Sequence, residues 1–486
     1  MKSFDSIYIG GEWVAASSDA TIEVIAPFTE EVVATVPEGG ARDIDRAVAA
    51  ARDAFDNGPW PRTTGAERAE AMGRLLAVVQ ARSDELSTVI SEEMGSPLSW
   101  SLLGQAMAAG MVLDEYVKLA REFAFEEERA GLLGPVLVRR EPVGVAGAIT
   151  PWNVPLFTIM LKLAPALAAG CTTVIKPAPE TPVDALLFAE CIDEAGLPPG
   201  VVNVVPADRE AGEHLVRHAD VDKIGFTGST AVGRRIGAIC GEQLKRVTLE
   251  LGGKSAAIIL DDANLDEIVA PLVDSGILNN GEACGAQTRI LAPRSRYAEC
   301  VDALAAYVGN MTVGDPLDPA TQVGPLVAER QRTRVEGYIE AGNDEGARLV
   351  VGGGRPAAHA RGWFVEPTLF ADVDNGMKIA REEIFGPVLC AIPYDDEADA
   401  VRIANDSDYG LSGTVWTSDI DRGVAVARQV RTGTYGVNYF MIDFGAPFGG
   451  YKCSGVGREL GPEGLQAYLE AKSVVLPAGY QVKLAG

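Results

Sequence analysis

Thr172-Thr173-Val174-Ile175 decides the fold: four β-branched residues in a row, which read as a buried strand. A helix is expected next over 182–195, then a strand over 201–205 and a helix over 210–217. A strand over 223–226 and a helix over 230–240 follow. This βαβαβ alternation predicts a mostly parallel, doubly wound sheet. A second alternation lies downstream, with strands at 256–260, 289–291 and 349–351. Its helices are expected at 265–278, 296–309 and 328–341. Upstream, residues 41–130 read helical, with 41–55 and 65–90 separated by Pro59-Trp60-Pro61. The segments 134–148 and 471–484 read as exposed strands belonging to neither sheet, edges that invite pairing with another chain.

A chain of 486 residues exceeds the size at which one core stops growing, so two or three domains are expected. The boundary falls at Gly252-Gly253. Residues 1–121 and 142–252 form one α/β unit and 253–453 the second, with 122–141 and 470–486 as strands for oligomer contacts. The formal charge of -26 excludes a phosphate-binding surface for nucleic acid and disfavours an anionic membrane. There is no basic, apolar leader and no apolar run of membrane-spanning length, so a cytoplasmic protein is expected. The cysteines at 171, 191, 240, 284, 300, 390 and 453 are scattered without a Cys-x-x-Cys pair, which argues against disulfides or zinc. His214 and His218 read as a solvated helix face. No metal is expected.

Two strings carry reactive groups. Glu250-Leu251-Gly252-Gly253-Lys254 offers a carboxylate, and Asn280-Gly281-Glu282-Ala283-Cys284-Gly285 offers a thiol, each among glycines that leave the backbone approachable. A carboxylate can activate water and a thiolate can attack an electrophilic carbon. Either alone is as readily a buried small residue or turn punctuation. Thr150-Pro151-Trp152-Asn153-Val154-Pro155 adds an amide that can stabilise an oxyanion. Phe226-Thr227-Gly228-Ser229-Thr230 ends a strand and opens a helix, whose N-terminus suits a pyrophosphate. Glu382-Glu383-Ile384-Phe385-Gly386-Pro387 offers a carboxylate for sugar hydroxyls and an aromatic face for a flat ring. The stretch from Pro447 to Gly461 is a dense Gly-rich loop. Lys162, Lys176, Lys254 and Lys452 all fall in or beside these segments.

In this order, and over essentially the whole chain, the strings resemble the aldehyde dehydrogenase superfamily. The resemblance implies an α/β fold of two doubly wound parallel-sheet domains plus a small β oligomerisation element, and a homodimer or homotetramer. It implies Cys284 as nucleophile, Glu250 as general base, and Asn153 with the Cys284 N–H as oxyanion hole. Lys162 and Glu459 match positions that relay a proton from the base. NAD would be held by Thr150, Trp152, Lys176, Glu180, Gly228, Ser229, Leu251, Glu383 and Phe385. The implied reaction is a two-stage oxidation. Thiolate attack gives a thiohemiacetal, hydride transfer leaves a thioester, and water activated by Glu250 releases the acid. Lowering the thiol below its free pKa of about 8.5 would help at neutral pH.

Two departures stand out. Many members carry a ribose-binding glutamate three residues after Lys176; here Pro179 stands there, with Glu180 next. That weakens the case for NAD over NADP, although no Arg follows Lys176 to pair with a 2′-phosphate and Glu180 would repel one. Ala283 and Gly285 are small, which implies a roomier pocket beside the thiol. The stretches Val154-Pro155-Leu156-Phe157 and Asn438 to Phe444 match regions that line an aldehyde tunnel in relatives. They are apolar and without Arg or Lys, as a hydrophobic aldehyde requires, unless they are simply core; Asp443 could instead favour a cationic aminoaldehyde. A CoA-acylating enzyme, a cysteine esterase and a catalytically silent relative are the rival readings.

Overall fold

The computed structural model describes residues 1–484. Its larger sheet has eight strands, in the order Gly455–Val456, Arg246–Glu250, Lys223–Thr227, Val145–Ile149, Thr172–Lys176, Val202–Val204, Ile7–Ile9 and Glu12–Val14. The five from Arg246–Glu250 to Val202–Val204 run parallel, with antiparallel neighbours at both edges. Thr172–Lys176 is buried throughout, as its β-branched run requires of a strand covered on both faces. Helix Pro155–Ala169 is buried on every side beneath this sheet.

The second sheet has seven strands, all parallel except Arg348–Val351 at one edge. The α/β, doubly wound architecture expected from the sequence is therefore present twice. A third, three-stranded antiparallel sheet joins Leu469–Val475, Pro135–Pro142 and Glu126–Ala130.

Several expectations need correction. The helical reading of 41–130 runs too far: the last helix there ends at Glu122, Phe123 turns extended, and Glu126–Ala130 is a strand. The expected helix over 65–90 is two helices, Gly65–Ala81 and Ser83–Met94, broken at Arg82. Residues 134–148 are not one strand outside both sheets. Pro135–Pro142 belongs to the small sheet, whereas Val145–Ile149 is central in the first. Gly144 makes the crossing at φ +131°, where a Cβ would stand 1.8 Å from Asp222 Oδ2. The strand expected over 471–484 is Leu469–Val475, and residues 485–486 of the 470–486 segment lie outside the described residues. The N-terminal strands Ile7–Ile9, Glu12–Val14, Thr21–Ala26 and Glu31–Pro37 were not foreseen.

Candidate active site

Parallel strands deliver their carboxyl ends to one crevice, and ligands of open α/β sheets bind there. Val145–Ile149 is followed by Thr150, and Thr172–Lys176 ends in Lys176. Lys223–Thr227 is followed by Gly228 and Ser229, and Arg246–Glu250 ends in Glu250, with Leu251 next. These residues, far apart in sequence, thus share one rim.

Glu250 and Cys284 meet across the Gly252-Gly253 pair. A Cβ on Gly253 would lie 2.3 Å from the Cys284 carbonyl oxygen, so the two strings pack backbone to backbone. Both carboxylate oxygens of Glu250 are buried without a hydrogen-bond partner. Burial pushes this carboxyl well above its ordinary range, and Glu459 adds to the rise while Lys162 and Arg458 oppose it. Cys284 is partly exposed. Burial of its sulfur, with Glu383 and Glu250 nearby, pushes the thiol up to about 12. The protein's own field does not supply the lowering that would help at neutral pH: burial raises the thiol first, and the acids beside it add to the rise.

The Cys284 loop is held open by left-handed residues: Asn279 (φ 53°), Asn280 (φ 61°) and Gly281 (φ 75°). Asn accepts this conformation better than other side chains. Asn280 Nδ2 donates to the carbonyls of Gly95 (2.9 Å) and Pro325 (3.0 Å). Asn279 Nδ2 donates to the Asn153 carbonyl at 2.8 Å, and Asn153 Nδ2 donates to the Glu282 carbonyl at 2.8 Å. One N–H of Asn153 is thus used to fix its amide on the Cys284 loop, and an amide nitrogen carries a second N–H that can donate elsewhere.

Along the rim of the first sheet, Lys176 Nζ donates to the carbonyls of Pro177 (2.8 Å) and Ala207 (2.7 Å), and burial lowers it to about 8. Ser229 caps helix Thr230–Glu242, its hydroxyl accepting from Val232 N–H at 3.4 Å. The Glu180 carboxylate is paired with Arg330. Glu383 Oε1 accepts from Gly253 N–H at 2.9 Å, and burial raises this carboxyl to about 7. Phe385 has φ +64° and meets the Trp152 ring edge-on at 5.4 Å. Its backbone is fixed by Gln331 Nε2, which donates to the Phe385 carbonyl at 2.5 Å. Arg334 Nη2 donates to the Glu383 carbonyl at 2.6 Å. Leu251 is buried, and its N–H donates to the Ser454 carbonyl at 2.9 Å. Thr150 Oγ1 is buried without a partner.

Set against known proteins, residues 13–474 match the aldehyde dehydrogenase family. Geranial dehydrogenase of Castellaniella defragrans is 51% identical over 471 residues, covering 97% of this chain and 98% of that one. The chain belongs to the aldehyde dehydrogenase family. Its reaction class is the oxidation of an aldehyde with a nicotinamide cofactor. Among solved structures, a Mycobacterium tuberculosis aldehyde dehydrogenase complexed with NAD+ superposes with a TM-score of 0.97, at 52% identity and 99% coverage of both chains. Aldehyde dehydrogenase C of Pseudomonas syringae, in a complex with NAD+ and octanal, gives a TM-score of 0.95 at 44% identity and 98% coverage of both.

The site residues of this chain fit a dinucleotide on their own terms. A helix N-terminus at Ser229 is ready for phosphate oxygens, a buried Thr150 hydroxyl has no protein partner, and Glu383 stands over glycine backbone. Lys162 Nζ, fully buried, lies 2.9 Å from Glu459 Oε1 and 2.6 Å from Thr227 Oγ1. Sequence reasoning missed the holders: Asn279, Asn280, Gln331 and Arg334. The first two were legible as consecutive asparagines before a glycine; the helix that carries the others was expected over 328–341, but nothing local marks Gln331 and Arg334 on it as contacts of the Glu383–Phe385 segment.

Proposed function

We propose that this chain oxidises uncharged, apolar aldehydes to carboxylic acids with NAD, through a covalent thioester on Cys284. The observation that carries the substrate class is the wall beside the thiol. Phe157 and Phe444 pack with ring centroids 6.2 Å apart, and Val154, Ile442 and Cys284 border the same apolar cluster. A Cβ on Gly285 would lie 3.2 Å from Phe440 Cζ, so an aromatic edge occupies the room that a small residue there was expected to leave. Asp443 is exposed and accepts from Gly445 N–H at 2.9 Å, so this carboxylate is engaged at the surface of its own loop. The octanal complex and the geranial-named relative agree with an apolar substrate.

Cys284 attacks the carbonyl carbon, and Asn153 Nδ2 and the Cys284 N–H receive the oxyanion. NAD bound at the rim accepts the hydride. Glu250, unpartnered and close by, takes a proton from water, whose oxygen bonds to the thioester carbon while the thiolate leaves. Lys162 and Glu459 carry that proton away. Lys176 and Glu383 face the two riboses, Ser229 the pyrophosphate, and Trp152 and Phe385 the nicotinamide end, with Thr150, Gly228, Leu251 and Glu180 around them. NAD rather than NADP is supported by the run after Lys176, Pro177 to Thr181, which holds no Arg, and by the pairing of the nearby Arg330 with Glu180.

All seven cysteines are free, as suits a reducing compartment, and we place the enzyme in the cytoplasm. Among the described residues no helix is long and apolar enough to cross a membrane. Residues 1–121 with 142–252 serve the cofactor and 253–453 the thiol. The small sheet, with Val475 exposed at its rim, joins subunits into a dimer or tetramer. The test is a panel of medium-chain, aromatic and charged aldehydes, assayed at 340 nm with NAD or NADP and with or without CoA. Medium-chain or aromatic aldehydes should give the highest kcat/KM with NAD and no CoA. A tenfold advantage for succinic semialdehyde or betaine aldehyde overturns the apolar reading, and dependence on CoA overturns hydrolysis.

A further inference from the structure

Two neighbouring strands of the first sheet carry a polar stripe away from the active site. Their register pairs Thr227 with Glu250, Gly225 with Thr248, and Lys223 with Arg246. Alternate residues of a strand share a face, so these are three successive rungs on one side of the sheet. The first rung holds Glu250. The third reaches the surface, where Arg246 pairs with Glu470. On the middle rung, a Cβ at Gly225 would lie 3.2 Å from Lys162 Cγ and 3.2 Å from the Tyr468 hydroxyl, so both side chains close over this glycine.

Lys223 has no place in the chemistry described so far, yet it is 1% exposed. Its ammonium donates to Thr248 Oγ1 at 2.7 Å and lies 4.5 Å from the centre of the Tyr468 ring. The ionisable groups facing it are Glu459, Cys171, Arg246, Lys162, Cys240 and Tyr468. Glu459 is in turn faced by Glu250, Lys162, Tyr116 and Tyr468. The buried cluster therefore holds two carboxyls and two ammoniums. Glu459 Oε2 has no hydrogen-bond partner, and with Lys162 alone the two carboxyls would outnumber the cations. A lone buried ammonium is costly, and an apolar residue of equal length would serve packing better. Burial lowers Lys223 to about 8, so the ammonium form still predominates at neutral pH.

We propose that Lys223 is a positioning residue for thioester hydrolysis: with Lys162, its ammonium holds Glu459 ionised beside the raised Glu250 carboxyl. Glu459 can then receive the proton that Glu250 takes from water. This rests on the reading of Glu250 as the base.

The experiment compares Lys223→Met, Lys223→Arg, Glu459→Gln, the double variant Lys223→Met/Glu459→Gln, and Glu250→Gln. Burst rate and steady-state kcat are measured from pH 5.5 to 9, with melting temperature as a check on folding. In Lys223→Met the acid limb of kcat should move up by about one pH unit, a roughly tenfold loss below the limb, with the burst unchanged. Lys223→Arg should restore the wild-type profile, and the shift should vanish when Glu459 is already Gln. If Lys223→Met does not fold, Lys223→Gln, which keeps a donor for Thr248, carries the same test. An unmoved limb, or an equal shift with and without Glu459, overturns the proposal. If Glu250→Gln keeps wild-type turnover, the base assignment falls first, a distinguishable outcome.

Discussion

Replacing Glu250 by Gln keeps the size of the side chain and removes only its ability to hold a negative charge. Because the two oxygens have no hydrogen-bond partner, the substitution breaks no bond within the protein. A positioned general base contributes about 10²- to 10⁴-fold, so acyl release should slow by that factor. Attack by Cys284 does not use the carboxylate, so the burst of reduced cofactor should survive within a few-fold. The same burial gives a stability signature. The Glu250 carboxyl is raised in the folded protein, chiefly by desolvation and next by Glu459. A raised group contributes stability that is complete below the unfolded carboxylate range and is lost as pH rises through the folded value. The Gln variant has no such loss. Its melting temperature should match wild type near pH 5 and exceed it increasingly toward pH 9. Burying a charged group without a hydrogen-bond partner costs about 1–3 kcal/mol or more, which sets the scale of the gain. Rapid mixing and thermal melts at several pH values check both halves. Equal loss of burst and turnover, or a variant less stable at high pH, would refute the reasoning that this carboxyl waits unpartnered for water.

Cys284→Ala should abolish aldehyde oxidation and leave NAD affinity within a few-fold by titration calorimetry; residual activity above a few per cent places the nucleophile elsewhere. With its thiol pushed up to about 12, Cys284 of the cofactor-free enzyme should react slowly with iodoacetamide at pH 7 and faster as pH rises, and rapid labelling at pH 6 contradicts that. Gly252→Ala should raise the KM for NAD about tenfold or more with little change in melting temperature. The new Cβ would stand 2.4 Å from Glu383 Oε2, displacing the flexible carboxylate from the Gly253 N–H while the backbone stays put.

Sequence alone determined the periodic elements and the reactive groups. Four β-branched residues at 172–175 are a strand whatever surrounds them, because their side-chain stiffness and apolarity act locally. The strings around Glu250, Cys284 and Asn153 carry their chemistry in residue type and order, so the family was legible without coordinates. Tertiary structure decided what depends on distant partners. Val145–Ile149 became a central strand because Gly144 takes a left-handed turn against Asp222, a contact 78 residues away in sequence. The raised thiol comes chiefly from burial and then from Glu383 and Glu250, which folding brings beside it, and no reading of Ala283 and Gly285 could supply either. The roomy pocket expected from Gly285 is taken by Phe440, from a loop 155 residues on. Lys223 looks like any strand-opening lysine until the register of two parallel strands places it on the same face as Glu250. Local propensity reaches a few residues; electrostatics and packing act through space, and only the fold sets those distances.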